Sequence, residues 1–116
     1  MLQWKDHLGS VTITYNPGLK KYLRCIVDGW PSTRMMSTFI MEADHVAGPW
    51  RMVCYLKDFG AQGYFVNIPS KFIQPDGKTF WLCYSANFTN GWLHTTYPVD
   101  PPGSRYGLCL QEVKLV

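Results

Sequence analysis

The chain has 116 residues, so a single domain is the expectation, and its 47% hydrophobic and 16% aromatic content suits a packed core and argues against disorder. The net charge is +3 and Lys20–Lys21 is the only adjacent basic pair, so no basic stripe offers itself to a nucleic acid. No apolar run approaches the ~18 residues of a membrane span. The opening "MLQWKDHLGS" lacks the charged-then-apolar order of a signal peptide. These features predict no nucleic-acid and no membrane partner. They leave the compartment unknown, with the cytoplasm as the default unless an export signal precedes this sequence.

In chain order, a short strand over residues 2–5 precedes strands over 10–15, 20–27, 36–43, 50–56, 65–73, 79–85 and 106–115. The runs are rich in Val, Ile, Thr, Tyr, Phe and Trp, and none has helical apolar spacing. Breakers separate them: Asn16-Pro17-Gly18, Asp28-Gly29-Trp30-Pro31, Gly48-Pro49, the glycines at 60 and 63, Pro75-Asp76-Gly77 and Pro101-Pro102-Gly103. The class is all-β. Cys25, Cys54, Cys83 and Cys109 sit singly inside apolar runs and read as buried free thiols. His7, His45 and His94 are scattered far from them, so neither a metal site nor a cofactor is expected.

A shift of 58 residues lays "TITYNPGLKKYLRCIV" on "SKFIQPDGKTFWLCYS" without a gap. Pro17 falls on Pro75, Lys20 on Lys78 and Cys25 on Cys83. "WKDHLG" at Trp4 echoes "LKDFG" at Leu56. The chain therefore divides into a tail or closing strand (1–9) and two antiparallel four-stranded meanders (10–58 and 59–116), the second with three clear strands. Repeated meanders of this kind are propeller blades. Because blades stack face to face, their strands can be apolar on both sides, as Phe80–Tyr84 is. The expected architecture is two propeller-like blades, as a partial β-propeller or as a two-sheet sandwich.

Two motifs carry a family resemblance. "EADHVAGPWRMV" (42–53) has an Asp-x-x-x-Gly-Pro-Trp hairpin, and "FIQPDGKTFWLCYSANF" (72–88) has an Asp-Gly-Lys-x-x-Trp hairpin. The chain resembles the last two blades of five-bladed propeller glycosidases of the arabinanase/xylosidase type and related uncharacterised propeller proteins. The resemblance implies a propeller fold and a carbohydrate link. The catalytic carboxylates of that family lie on earlier blades, so it transfers no catalytic residue to this sequence.

In a meander, the loop between the second and third strands and the crossover to the next meander share one end. That end collects Asp28, Trp30 and Arg34, then Asp58, Gln62, Tyr64 and Asn67, then Asn87, Trp92, His94 and Tyr97. Aromatic rings against sugar C–H faces, with amides and charges on the hydroxyls, suit a glycan. Each has a plainer reading. Trp30 beside Pro31 can cap a sheet, and His94 can be an exposed loop histidine. Trp50 and Trp81 read as packing residues. Asp28 and Asp58 could serve as the two carboxyls of glycoside hydrolysis, or simply bond turn N–H groups.

The leading function is a glycosidase-like propeller fragment that binds carbohydrate and is not catalytic alone. One alternative is a structural, self-associating module. Another is a glycoside hydrolase whose site is assembled across subunits from Asp28, Asp58 and a third acid. Two blades cannot close a ring, so the expected partners are a glycan and either further copies of the chain or the remainder of a larger propeller.

Overall fold

The computed structural model of the protein describes residues 8–28, 35–60, 62–87 and 106–116. Seven strands and one 3-10 turn make up these segments: β1 (Leu8–Asn16), β2 (Lys21–Asp28), β3 (Ser37–Ala43), β4 (Arg51–Leu56), β5 (Tyr64–Asn67), the turn Ser70–Phe72, β6 (Thr79–Asn87) and β7 (Tyr106–Lys114). They form an antiparallel four-stranded sheet in the order β1-β2-β3-β4 and an antiparallel three-stranded sheet in the order β5-β6-β7. The all-β class and the meander order are thus as expected. The predicted strand over 2–5 lies outside the described residues.

Alternation along each strand sorts side chains between two faces. On β2, Leu23, Cys25 and Val27 point inward, across from Thr14, Thr12 and the inward side of β3 at Ile40 and Thr38. On β6, Phe80 and Leu82 point inward beside Val113 of β7. These two inner faces, with Met36, Val66 and Ile68, form one buried core between the sheets. β4 carries a bulge at Val53: Ile40 pairs with Cys54 but its neighbour Met41 pairs with Met52.

The sheets are joined most tightly along β1. Its inward side presents Thr12, Thr14 and Asn16, and each donates across the gap. Thr12 Oγ1 donates to the Val66 carbonyl at 2.9 Å, Thr14 Oγ1 to Ile68 at 2.7 Å, and Asn16 Nδ2 to Gly77 at 2.9 Å. Polar side chains at every second residue thus satisfy carbonyls that β5 and the following turns leave off any ladder. Farther from β1 an apolar cavity of about 200 Å³ remains between the sheets, lined by residues that include Leu23, Ile40, Cys54, Phe80, Leu82 and Val113.

One predicted strand is corrected. The run 65–73 is not continuous: β5 ends at Asn67 and residues 70–72 turn as a 3-10 helix. Pro69 has no N–H to give a ladder. Its carbonyl instead accepts from Phe72 N–H at 2.9 Å, and Ser70 accepts from Ile73 at 3.2 Å. The Pro-Asp-Gly turn is closed by Gly77 N–H donating to the Gln74 carbonyl and Gln74 N–H donating to the Thr79 carbonyl, each at 2.8 Å. The 58-residue correspondence is good for β2 onto β6 and fails for β1, which falls on this 3-10 turn.

The cysteines are also only partly as expected. All four are free thiols, but only Cys25 is fully buried. Burial pushes its thiol up from 9.0 to about 12, opposed in part by a hydrogen bond with Thr12. A neutral thiol favours the fold below about pH 9, and that contribution, up to about 4 kcal/mol, is lost as pH rises towards 12. Urea midpoints measured across this range should fall less steeply for Cys25→Ala than for wild type.

Thr38 is fully buried on the inner face, and its hydroxyl has no hydrogen-bond partner among the described residues. Thr38→Val keeps the shape and removes the unsatisfied oxygen. A rise in stability of about 1 kcal/mol is expected, read as a higher urea midpoint with an unchanged slope.

Candidate functional site

β2 ends at Asp28 and β6 at Asn87, and the connection from β4 to β5 holds Asp58 and Gln62. This end of the sheets is opposite to the tight turns. At the turn end, Lys21 bridges to Asp44 and Asn16 reaches Gly77.

The crossover is clamped to β3. Ser37 lies opposite Asp28 in the β2–β3 register. Its Oγ accepts the Asp58 backbone N–H at 3.1 Å, and Phe59 N–H donates to the Met36 carbonyl at 2.8 Å. Asp28 and Asp58 are therefore both neighbours of one serine. The Phe59 ring lies 4.7 Å from that of Tyr84 on β6. Gly60 has φ +65°, and a Cβ there would meet the Tyr84 ring at 2.9 Å. Burial, and then the Cys109 thiol beside it, hold the Tyr84 phenol above its ordinary pKa, so this aromatic floor stays uncharged.

Beyond Gly60 the chain turns back through Gln62, which is 3% exposed. Gln62 Oε1 accepts from Asn87 Nδ2 at 3.0 Å. The other end of the Asn87 amide, Oδ1, is buried and has no hydrogen-bond partner among the described residues. Asp58, Gln62 and Phe65 all take left-handed backbone conformations, with φ of 49°, 54° and 52°. Such conformations cost of order 1–3 kcal/mol each in non-glycine residues. Their clustering marks a segment held in shape by its surroundings.

Of the residues expected at this end, Gln62 and Asn87 are joined by a hydrogen bond, and Asp28 and Asp58 are each beside Ser37. Tyr64 starts β5 opposite Ser85, with its ring edge-on to Phe65 at 4.4 Å. Asn67 does not join them: it pairs with Cys83, well back along β6 from Asn87. Trp30, Arg34, Trp92, His94 and Tyr97 lie outside the described residues. Trp50 and Trp81 are packing residues of the outer sheet faces rather than of the core, Trp50 with the Arg24 guanidinium 5.5 Å from its ring. Ser37, Phe59 and Tyr84 are essential to the geometry, yet the sequence pattern does not single them out. Ser37 is recoverable from its place opposite Asp28, but the two aromatic rings give no signal beyond hydrophobicity.

Among the described residues no three His, Cys, Asp or Glu side chains converge to hold a metal ion. The arrangement offers a carboxamide acceptor, a second amide that orients it, two carboxylates and a neutral aromatic floor. That is equipment for hydrogen bonding to polar groups. Fold and site together define an antiparallel two-sheet protein with one polar end. In comparisons with known proteins, no family model, curated protein or solved structure matches the chain.

Proposed function

We propose that the protein is a carbohydrate-recognition unit built from two propeller-like meanders, and that it binds a glycan at the end marked by Asp28, Asp58, Gln62 and Asn87. The observation that carries this reading is the Asn87 amide: Gln62 fixes its nitrogen, and its buried oxygen is an acceptor without a donor among the described residues. A buried acceptor left unpaired costs roughly 1–3 kcal/mol, and a sugar hydroxyl is a donor of the right kind. β2 and β6 lead directly from Asp28 and Asn87 into the segments that hold Trp30, Arg34, Trp92, His94 and Tyr97. Those segments supply the aromatic rings that sugar C–H faces stack on.

The test is a glycan array that includes xylan and arabinan oligosaccharides. Binding that is weakened at least about tenfold by Trp92→Ala and by Asn87→Ala supports the reading; binding to no glycan overturns it. Recognition without hydrolysis is the expectation. Turnover of aryl arabinosides or xylosides that disappears in Asp28→Asn would assign the site instead to a hydrolase assembled across subunits.

A second reading, self-association, is favoured by a separate observation. The outer faces of both sheets carry exposed apolar residues: Val11, Ile13, Tyr15, Met52 and Tyr55 on the first, Leu108 and Leu110 on the second. Contiguous apolar surface of this kind marks interaction sites.

A further inference from the structure

The cavity between the sheets lies towards the tight turns, and the polar end with Asp28 and Asn87 takes no part in it. Close-packed interiors hold few voids larger than a water molecule. This one measures about 200 Å³, and its place follows from the topology. The sheets approach most closely where β1 and β2 meet β5. β4 and β7 are edge strands of different sheets, so no ladder joins one to the other. Ile40, Phe80 and Leu82 form the buried back of the cavity, and Leu115, 43% exposed, stands at its rim. Cys54 lines it from β4 as a free thiol, in register with Ile40.

We infer that this cavity is a binding site for a small neutral apolar molecule, a single aromatic ring bearing a short alkyl group. Volume and lining select that class together. An apolar cavity of about 150 Å³ is enough to take up benzene. The larger space here leaves room for a methyl or ethyl substituent on the ring. A charged ligand would have to leave water for an apolar lining, which costs far more than the contacts return. Glu42 is the one charged residue among the described residues that line the cavity, and its carboxylate is already bridged to the exposed Arg51. The lining therefore offers a ligand dispersion contacts and burial of apolar surface. Because β4 and β7 share no ladder, they can part to admit a ring without breaking a strand pairing.

Urea unfolding of the full chain in the presence of toluene or benzoate tests this. Toluene at about ten times its Kd should shift the folding equilibrium about elevenfold towards the folded chain. Benzoate, the same ring with a carboxylate, should shift it far less. Alkylation by N-ethylmaleimide, followed residue by residue by mass spectrometry, then places the ligand. Toluene at the same concentration should slow reaction of Cys54 about tenfold. It should leave the rate at Cys83 unchanged, since Cys83 lies on the outer face of β6. Cys54→Phe puts a ring of the protein's own into the cavity and should lose the toluene shift. If that variant fails to fold, the wild-type alkylation rates still decide. No shift with toluene, a shift without protection of Cys54, or a folded Cys54→Phe that keeps the full shift overturns the site. An equal shift with benzoate overturns the ligand class.

Discussion

Gly18→Val should destabilise the protein by at least about 3 kcal/mol, although residue 18 is in an exposed turn. The two turns of the repeated segments touch each other, backbone to backbone. A Cβ on Gly18 would lie 2.2 Å from the Gly77 nitrogen and 2.4 Å from the Asp76 carbonyl carbon. Neither atom belongs to a flexible side chain, so relief requires one whole turn to move. That movement would break the bond from Asn16 Nδ2 to the Gly77 carbonyl. Asn16 is fully buried, and its Oδ1 also accepts from Leu19 N–H at 3.1 Å. Losing the contact thus leaves buried polar groups unpaired, which costs more than the clash alone. Urea denaturation of Gly18→Val measures the effect, and Pro17→Ala in the same turn is the control expected to cost under about 1 kcal/mol.

Leu82→Ala should cost about 3–5 kcal/mol, at the upper end for buried leucines. Leu82 is 1% exposed at the centre of the inner face of β6. It also lines the cavity of about 200 Å³ between the sheets. Truncation usually leaves a void that the surroundings partly fill, and the penalty scales with what stays empty. Here the neighbouring space is already hollow, so little side-chain mass stands ready to collapse inward. Leu110→Ala, one residue along the partner strand but on the outer face, removes the same atoms from a side chain 49% exposed. Its cost in the isolated chain should be below about 1 kcal/mol. The contrast between the two substitutions separates the inner face, which is packed, from the outer one, where Leu110 is half exposed.

Much of the fold was legible because turn residues and β-branched runs alternate cleanly through β1 to β4. The shift of 58 residues also placed β6 correctly from β2. The segment after Asn67 was not legible in the same way. Phe72 and Ile73 extend an apolar run, and only the missing N–H of Pro69 shows that no ladder can continue. The bulge at Val53 and the left-handed Phe65 left no mark in the pattern, since single-residue irregularities answer to packing between elements. At the polar end, strand order alone puts Asp28 at the end of β2 and Asn87 at the end of β6. The Gln62–Asn87 hydrogen bond depends on the left-handed turns at Asp58 and Gln62, which in turn depend on Phe59 and Gly60 lying against Tyr84. Those are contacts between residues far apart in sequence, and no local pattern encodes them. Asn67 fell out of the group because β5 runs away from this end.

Glycan recognition by the Asn87 amide is the central claim, and nitrogen-15 chemical-shift mapping tests it most directly, since both side-chain amides give their own signals. Xylo- and arabino-oligosaccharides titrated into the full chain should move the Asn87 and Gln62 side-chain amide resonances together with the backbone amides of Asp58 and Phe59. The amides of the far turns, Gly18 and Gly77, should stay in place. Saturable shifts confined to the turn end, or no shifts at millimolar sugar, would contradict the account.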